Sequence, residues 1–192
     1  MIKHNTPMRI DIHQKKIALT AKYEIVKERI TILRASAKLF RLFSEIHIFR
    51  PDDEHTITVI NRIFSFFTAK YSLEMSNGSE ALFYTVSFWK NHFRCEYRGK
   101  TYDVYGHRGR KFSIFKSGKQ TAYFEKEAVS YFAGDNYKLL ADDDADTTLL
   151  ISFVLIIDNY RRRAHDRGIV NFDIGNIFQA RKFDESWKPV EK

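Results

Sequence analysis

The segment that most constrains the fold of this chain is LLISFVLII, which covers residues 149–157. Eight of its nine residues are large and apolar, and Ser152 is the polar interruption. Acids at the start of a helix and cations at its end complement the helix dipole. Both are present here: Asp142, Asp143, Asp144 and Asp146 precede the segment, and Arg161, Arg162 and Arg163 follow it. The pattern predicts a helix over about 144–163, capped by Asp143 or Asp144.

The middle of this helix is apolar around its whole circumference, which is typical of a helix buried on all sides. The apolar run is too short to cross a bilayer, which takes about 20 residues. The sequence therefore predicts a core helix and no transmembrane segment. Other elements of the chain must surround it.

Strand patterns fill most of the chain before the helix. The predicted strands include 23–33, 39–49, 71–75, 81–89, 93–97, 101–105, 129–132 and 137–140, while 63–67 is ambiguous between strand and helix. Turn sequences separate several of them, and Asn77-Gly78 is the strongest hairpin signal. Many short strands with no alternating helices indicate an antiparallel barrel or sandwich. A barrel is favoured because a closed sheet can enclose a helix that is apolar on every side.

The length of 192 residues fits one domain. In this interpretation residues 1–20 are an N-terminal arm or a first strand, 21–163 form the barrel with its helix, and 164–192 form a tail that packs partly on the outside. The chain has one cysteine, Cys95, and its basic N-terminus is not followed by an apolar run. Both features favour a cytoplasmic protein. Cys95 lies in mid-strand among aromatic residues, which predicts an inert buried thiol.

The basic residues are unevenly distributed. The formal net charge is +8, and residues 98–119 contain seven Lys or Arg against Asp103 alone. Such an excess attracts polyanionic partners, although a solvated face that keeps the protein soluble is the simpler explanation. The glycines of 106–110 would let backbone amides approach an anion. The candidate ligand-binding residues are Arg108, Arg110, Lys111 and Lys119.

The sequence predicts no metal or cofactor site. Asp142, Asp144 and Asp146 have the first ligand spacings of a calcium-binding loop. However, Thr147 stands where that loop needs glycine, and Phe153 stands where it needs glutamate. The seven histidines are scattered without a metal-ligand spacing, and no phosphate-binding or nucleophile motif appears.

The order of elements from Lys111 to Tyr160 resembles the C-terminal half of the tubby-like superfamily, which includes the LURP-one-related proteins and the phospholipid scramblases. The hairpin KFSIFKSGKQTAYFEK, the strand GDNYKLL and the helix TLLISFVLIIDNYRR carry the resemblance, with Asp158 just past the apolar run. It implies a mainly β fold: a closed antiparallel barrel of about 12 strands around a buried hydrophobic C-terminal helix. It also implies a non-catalytic module, since tubby domains bind phosphoinositide head groups and scramblases act on membrane lipids.

These observations lead to three hypotheses about function. The first is a non-enzymatic cytoplasmic barrel whose basic surface binds an anionic phospholipid, a membrane surface or another anionic partner. The second is a nucleic-acid-binding protein, because aromatic and basic residues are both plentiful. The third is an enzyme with an unrecognised pocket, which a helix filling the barrel makes hard to build. The oligomeric state stays open.

Overall fold

The structure is a computed structural model that describes residues 8–17, 20–38, 44–65, 68–127, 134–166 and 179–190. The strands are β1 Met8–Ile17, β2 Thr20–Lys27, β3 Ile30–Lys38, β4 Glu45–Phe49, β5 Thr56–Arg62, β6 Lys70–Met75, β7 Glu80–Ser87, β8 His92–Tyr97, β9 Lys100–Gly106, β10 Lys111–Lys116, β11 Lys119–Lys126 and β12 Asn136–Ala141. A single 3₁₀ turn, Arg108–Arg110, precedes β10, and the helix α1 is Thr147–Asp166.

The twelve strands form one closed antiparallel barrel in which each strand pairs with its neighbours in sequence. Closure is made by β1 and β12, with Met8 opposite Ala141 and His13 opposite Asn136. The predicted mainly β barrel around a C-terminal helix is therefore confirmed. Of the two alternatives for residues 1–20, the structure places 8–17 in the barrel as its first strand.

Alternate side chains of each strand point into the barrel, as the two-residue period of a strand requires. In β12, Tyr137, Leu139 and Ala141 are buried while the residues between them are partly exposed. The helix fills the interior, and every residue from Leu149 to Ile157 is at most 1% exposed. Ser152 is tolerated there because its hydroxyl donates to the Thr148 carbonyl at 2.8 Å. In the described part of the chain, no helix combines the length and apolarity that crossing a bilayer would need.

The helix begins three residues later than predicted, and its cap is a different aspartate. Asp146 Oδ1 accepts a hydrogen bond from the Leu149 amide at 3.1 Å, the geometry of an N-cap. Residues 142–145 form a turn first, closed by the Ala145 amide donating to the Asp142 carbonyl at 3.0 Å. The prediction of Asp143 or Asp144 as the cap is wrong because this turn delays the first helical residue.

Some predicted strand boundaries are also wrong. The segment 23–33 is a hairpin whose turn residues Glu28 and Arg29 have φ of 51° and 69°. No glycine, asparagine or proline marks that turn. Of the predicted strand 39–49, only 45–49 is a strand within the described residues, and 39–43 lie outside them. The predicted strand 129–132 lies wholly outside, and the described part of 63–67 is irregular.

A buried polar cluster holds the C-terminal part of the helix to the barrel wall. Asp158, only 3% exposed, accepts hydrogen bonds from Tyr23 at 2.7 Å and from Gln14 at 2.8 Å, and also from Tyr137 and Arg162. Burial, reinforced by the Asp158 charge, raises the pKa values of Tyr23 and Tyr137, so both phenols stay protonated as donors.

The next helical residue repeats this arrangement on the other side of the barrel. Asn159 Oδ1 accepts hydrogen bonds from Ser44 at 3.1 Å and from Tyr71 at 3.0 Å. Strands β1, β2, β6 and β12 and the residue before β4 therefore all contact the same turn of α1. Because buried polar groups cost free energy when unpaired, these bonds set the position of the helix along the barrel axis.

Replacing Phe153 by alanine tests the helix as the core of the fold. Its ring is fully buried and lies 5.4 Å from Phe83 and 5.9 Å from Tyr102 between centroids. A cavity in such a site costs about 3–5 kcal/mol, which urea unfolding would measure. Phe64→Ala, at a residue 43% exposed, is the matched control and should cost less than about 1 kcal/mol. Equal losses in the two variants would contradict the central position of the helix.

Candidate anion-binding surface

The two ends of the barrel are defined here by the helix. The helix-start end, where α1 begins, carries the β2–β3, β4–β5, β8–β9 and β10–β11 turns. The helix-exit end, where α1 leaves, carries the connections β5–β6, β7–β8 and β9–β10, and also β11–β12, whose Glu127 and Asp135 pair with Lys138 and Lys126. Residues at the two ends of one strand are far apart, because a strand rises about 3.3 Å per residue.

The four predicted ligand-binding residues do not lie together. Arg108, Arg110 and Lys111 lie at the helix-exit end, in and after the 3₁₀ turn. Lys119 pairs with Lys116 at the other end of β10, and so lies at the helix-start end. The five steps from Lys111 to Lys116 correspond to about 17 Å. The structure thus brings together three of the four residues.

Lys119 shares the helix-start end with many acids. The Thr121 carbonyl, two residues away, accepts a hydrogen bond from the Asp142 amide at 2.9 Å, which places the aspartate-rich segment 142–146 beside the start of β11. The same end carries Asp52, Asp53 and Glu54 in the β4–β5 turn. This end therefore mixes both signs of charge.

Three neighbouring connections at the helix-exit end contain no acids, and two of them carry cations. We call them the exit loops: residues 63–69, of which 66 and 67 lie outside the described residues, 88–91 and 107–110. Their sequences, IFSFFTA, FWKN and HRGR, contain no Asp or Glu. The Thr85 amide donates to the Ala69 carbonyl at 2.9 Å, and the Gly106 amide donates to the Asn91 carbonyl at 2.9 Å. Each bond links one exit loop to a neighbouring strand, and the basic residues of the exit loops are Lys90, Arg108 and Arg110.

The β9–β10 exit loop is a tight turn that exposes Arg108. The His107 amide donates to the Lys111 carbonyl at 2.8 Å, closing the turn. Gly109 and Arg110 follow with φ of 71° and 62°. Arg108 and Gly109 are exposed, and Arg110 is half-buried. Arg108 is therefore accessible to an anion that approaches this end.

The C-terminal segment 179–190 packs on the outer face of β9, β10 and β11. The Arg181 guanidinium lies 3.9 Å from the centroid of Phe115, and the Phe183 ring lies 5.1 Å from His107 and 5.7 Å from Tyr123. The Val190 amide donates to Asp142 Oδ1 at 2.7 Å. Lys111 Nζ lies 4.9 Å from the Phe183 centroid, so this predicted ligand-binding residue already has an aromatic neighbour. Sequence analysis missed this contact, although the aromatic residues of the tail were the available signal.

Neither Cys95 nor any acidic cluster shows the chemistry of a reactive site. Burial, with a smaller contribution from Glu96, raises the pKa of the Cys95 thiol to about 12. The prediction of an inert buried thiol is confirmed. Among the residues that the structure describes, no three His, Cys, Asp or Glu side chains gather as a metal site would require.

A closed twelve-strand barrel around a hydrophobic helix defines this protein as a member of the tubby-like class. The family model described as LURP-one-related matches residues 8–158, from the first strand to the buried aspartate of the helix. The chain belongs to the LURP-one-related family, and the resemblance noted in the sequence is confirmed. No curated protein and no solved structure matches the chain.

The packing of His107 predicts a specific loss of stability in acid. His107 is 4% exposed, its Nε2 lies 2.7 Å from Ser113 Oγ, and burial lowers its pKa to about 4. In the unfolded chain the pKa of a histidine is near 6.5. As pH falls from about 6.5 to 4, the unfolded chain binds a proton at His107 and the folded protein does not, so folding becomes less favourable. The contribution is fully present above pH 6.5, and about 2 kcal/mol of it should be lost by pH 4.5.

The measurement is the free energy of unfolding at pH 7 and at pH 4.5 for the native protein and for His107→Gln. Glutamine retains a polar group for Ser113 but does not titrate. Between pH 7 and pH 4.5 the native protein should lose about 2 kcal/mol more unfolding free energy than the variant. Parallel pH profiles would show that His107 is not held neutral by its surroundings.

Proposed function

We propose that this protein is a non-catalytic binding module that holds an anionic partner against the exit loops, with an anionic phospholipid surface as the leading candidate. The observation that carries the proposal is the set of three neighbouring loops with Lys90, Arg108 and Arg110 and no acid. Cations in neighbouring loops without acids attract phosphate groups, and the net charge of +8 strengthens long-range attraction.

The position of Lys119 narrows the proposed site. A flat anionic surface that contacts Arg108 at one end of the barrel cannot also contact a residue at the other end of β10. Arg108 and Arg110 are the main ligand-binding residues in this proposal, and Lys111 adds charge from beside Phe183. Lys119 becomes the natural control for nonspecific attraction.

The non-catalytic part of the proposal is supported by the hydrogen bonds of the buried carboxylate Asp158. Asp158 is engaged by Tyr23, Tyr137, Gln14 and Arg162, and it is buried beneath them. Groups that are occupied in this way fix the helix and are not available to act on a substrate. A cytoplasmic location is part of the proposal and is supported by the single cysteine of the chain.

Paired charge deletions test the site. Arg108→Gln/Arg110→Gln and Lys100→Gln/Lys119→Gln remove the same charge from opposite ends of the barrel. At about 1 kcal/mol per cation near an anionic surface, the first pair should lower affinity for phosphatidylserine-containing or phosphoinositide-containing vesicles by roughly thirtyfold at low salt. The second pair should lower it by less than about threefold.

Vesicle co-sedimentation is the measurement, with neutral phosphatidylcholine vesicles as reference. Equal losses from the two pairs would mean that net charge alone drives binding. Absence of binding above neutral vesicles at low salt would remove the membrane version of the proposal.

A second candidate function is nucleic-acid binding, favoured by one observation. Trp89, which is 82% exposed, lies next to Lys90 in an exit loop, and aromatic rings beside cations stack single-stranded bases. The logarithm of affinity should then fall linearly with the logarithm of salt concentration. A gel-shift titration with single-stranded DNA and RNA that shows no complex at low salt would end this candidate.

A further inference from the structure

The exposure of Trp89 is the least expected feature of the surface. Its side chain is 82% exposed, more than any other large hydrophobic residue described, while Phe64 in the neighbouring exit loop is 43% exposed. Val86, 44% exposed, is the extra residue of the β-bulge at the end of β7. Scattered apolar residues are normal on a surface, but several at one end of a barrel indicate an interaction site.

The turn that carries Trp89 is firmly held. The Asn91 amide donates to the Phe88 carbonyl at 3.1 Å, and the Asn91 carbonyl accepts from the Gly106 amide at 2.9 Å. Asn91 is buried against Gly106, where an added Cβ would lie 2.2 Å from the Asn91 side-chain nitrogen. The Phe88 ring contacts Trp89 edge-on at 5.5 Å. The indole is therefore presented on a rigid support, which lowers the entropic cost of binding.

The charges around Trp89 favour one kind of partner. Lys90 follows it directly, and the β9–β10 exit loop with Arg108 is joined to the same turn through Asn91 and Gly106. The exit loops contain no acid. A tryptophan flanked by cations matches the interface of an anionic bilayer, where indole rings sit at the head-group level and Lys and Arg contact phosphates.

We propose that Trp89 inserts into the head-group region of an anionic bilayer and anchors the barrel there by its helix-exit end. This inference rests on the proposed function and specifies its partner as a lipid bilayer surface rather than a free anion. Lys90, Arg108 and Arg110 contact the phosphates while the indole enters the boundary with the acyl chains. The barrel axis is then roughly perpendicular to the membrane plane, and the aspartate-rich helix-start end faces away from the membrane.

Fluorescence can follow the Trp89 indole directly, because the chain has one other tryptophan and each can be replaced separately. Trp187 packs on Tyr123 at 6.0 Å between centroids, in the C-terminal segment. Trp187→Phe leaves Trp89 as the reporter, and Trp89→Phe leaves Trp187. With phosphatidylserine-containing vesicles, the Trp89 reporter should shift to shorter wavelength and be quenched by brominated acyl chains. The Trp187 reporter should show neither change.

Affinity provides an independent readout with a matched control. Trp89→Ala should weaken binding to the same vesicles about tenfold, since an interfacial aromatic anchor is lost. Ile30→Ala removes another exposed side chain, 66% exposed, from the start of β3 at the opposite end, and should leave binding unchanged. Both residues are exposed, so the thermal midpoint should stay within a few degrees of the native value in each variant.

The outcomes separate this inference from the proposed function. Binding that depends on Arg108 and Arg110, with no fluorescence shift and no loss in Trp89→Ala, would overturn insertion and leave the anionic site standing. Absence of any binding to anionic vesicles at low salt would overturn both. A blue shift that grows with protein concentration in the absence of vesicles would mean that a second copy covers Trp89, and would also overturn insertion.

Discussion

The helix between Leu149 and Ile157 has no side that water can reach, and this constraint decides the architecture. An open sheet would bury one side of such a helix and leave the others exposed. Twelve antiparallel strands that close through β1 and β12 bury all sides at once and leave no unpaired sheet edge. The barrel and the helix therefore depend on each other: the strands lose their interior filling without α1, and α1 has no apolar surroundings without the strands.

The position of the helix along the barrel is set by polar groups rather than by its apolar side chains. Leu, Ile and Val side chains on a cylinder tolerate sliding, whereas the hydrogen bonds to Asp158 and Asn159 do not. The same electrostatics that favours the helix also distinguishes the two ends of the molecule. Acids gather before α1 and three arginines lie in its last turns, in keeping with the helix dipole. The exit loops extend that polarity to the surface where Arg108, Lys90 and Trp89 lie.

Part of the site was predictable and part was not. The basic excess between residues 98 and 119 is visible in the sequence, but Lys111 begins β10 at one end of the barrel and Lys119 begins β11 at the other. Trp89 drew no attention in the sequence, because an aromatic residue at a strand end is usually a packing residue. Trp89 is exposed because it lies in the β7–β8 turn, which Asn91 holds against Gly106 of β9. The Glu28-Arg29 turn was missed for a related reason: both residues have positive φ without the glycine or asparagine that normally signals it.

The sequence by itself determined the class of fold, because an apolar helix that follows many hairpin-linked strands has few ways to be buried. It also determined the Asn77-Gly78 hairpin and the inert thiol. Only the tertiary structure decided which charges act together, that Asp146 rather than an earlier aspartate caps the helix, and that Asp158 meets Tyr23 and Tyr137. The physical reason is distance along the chain. Hydrophobic period and turn chemistry are local properties that a sequence displays directly. Contacts such as that between Gln14 and Asp158, 144 residues apart, exist only once the barrel has closed.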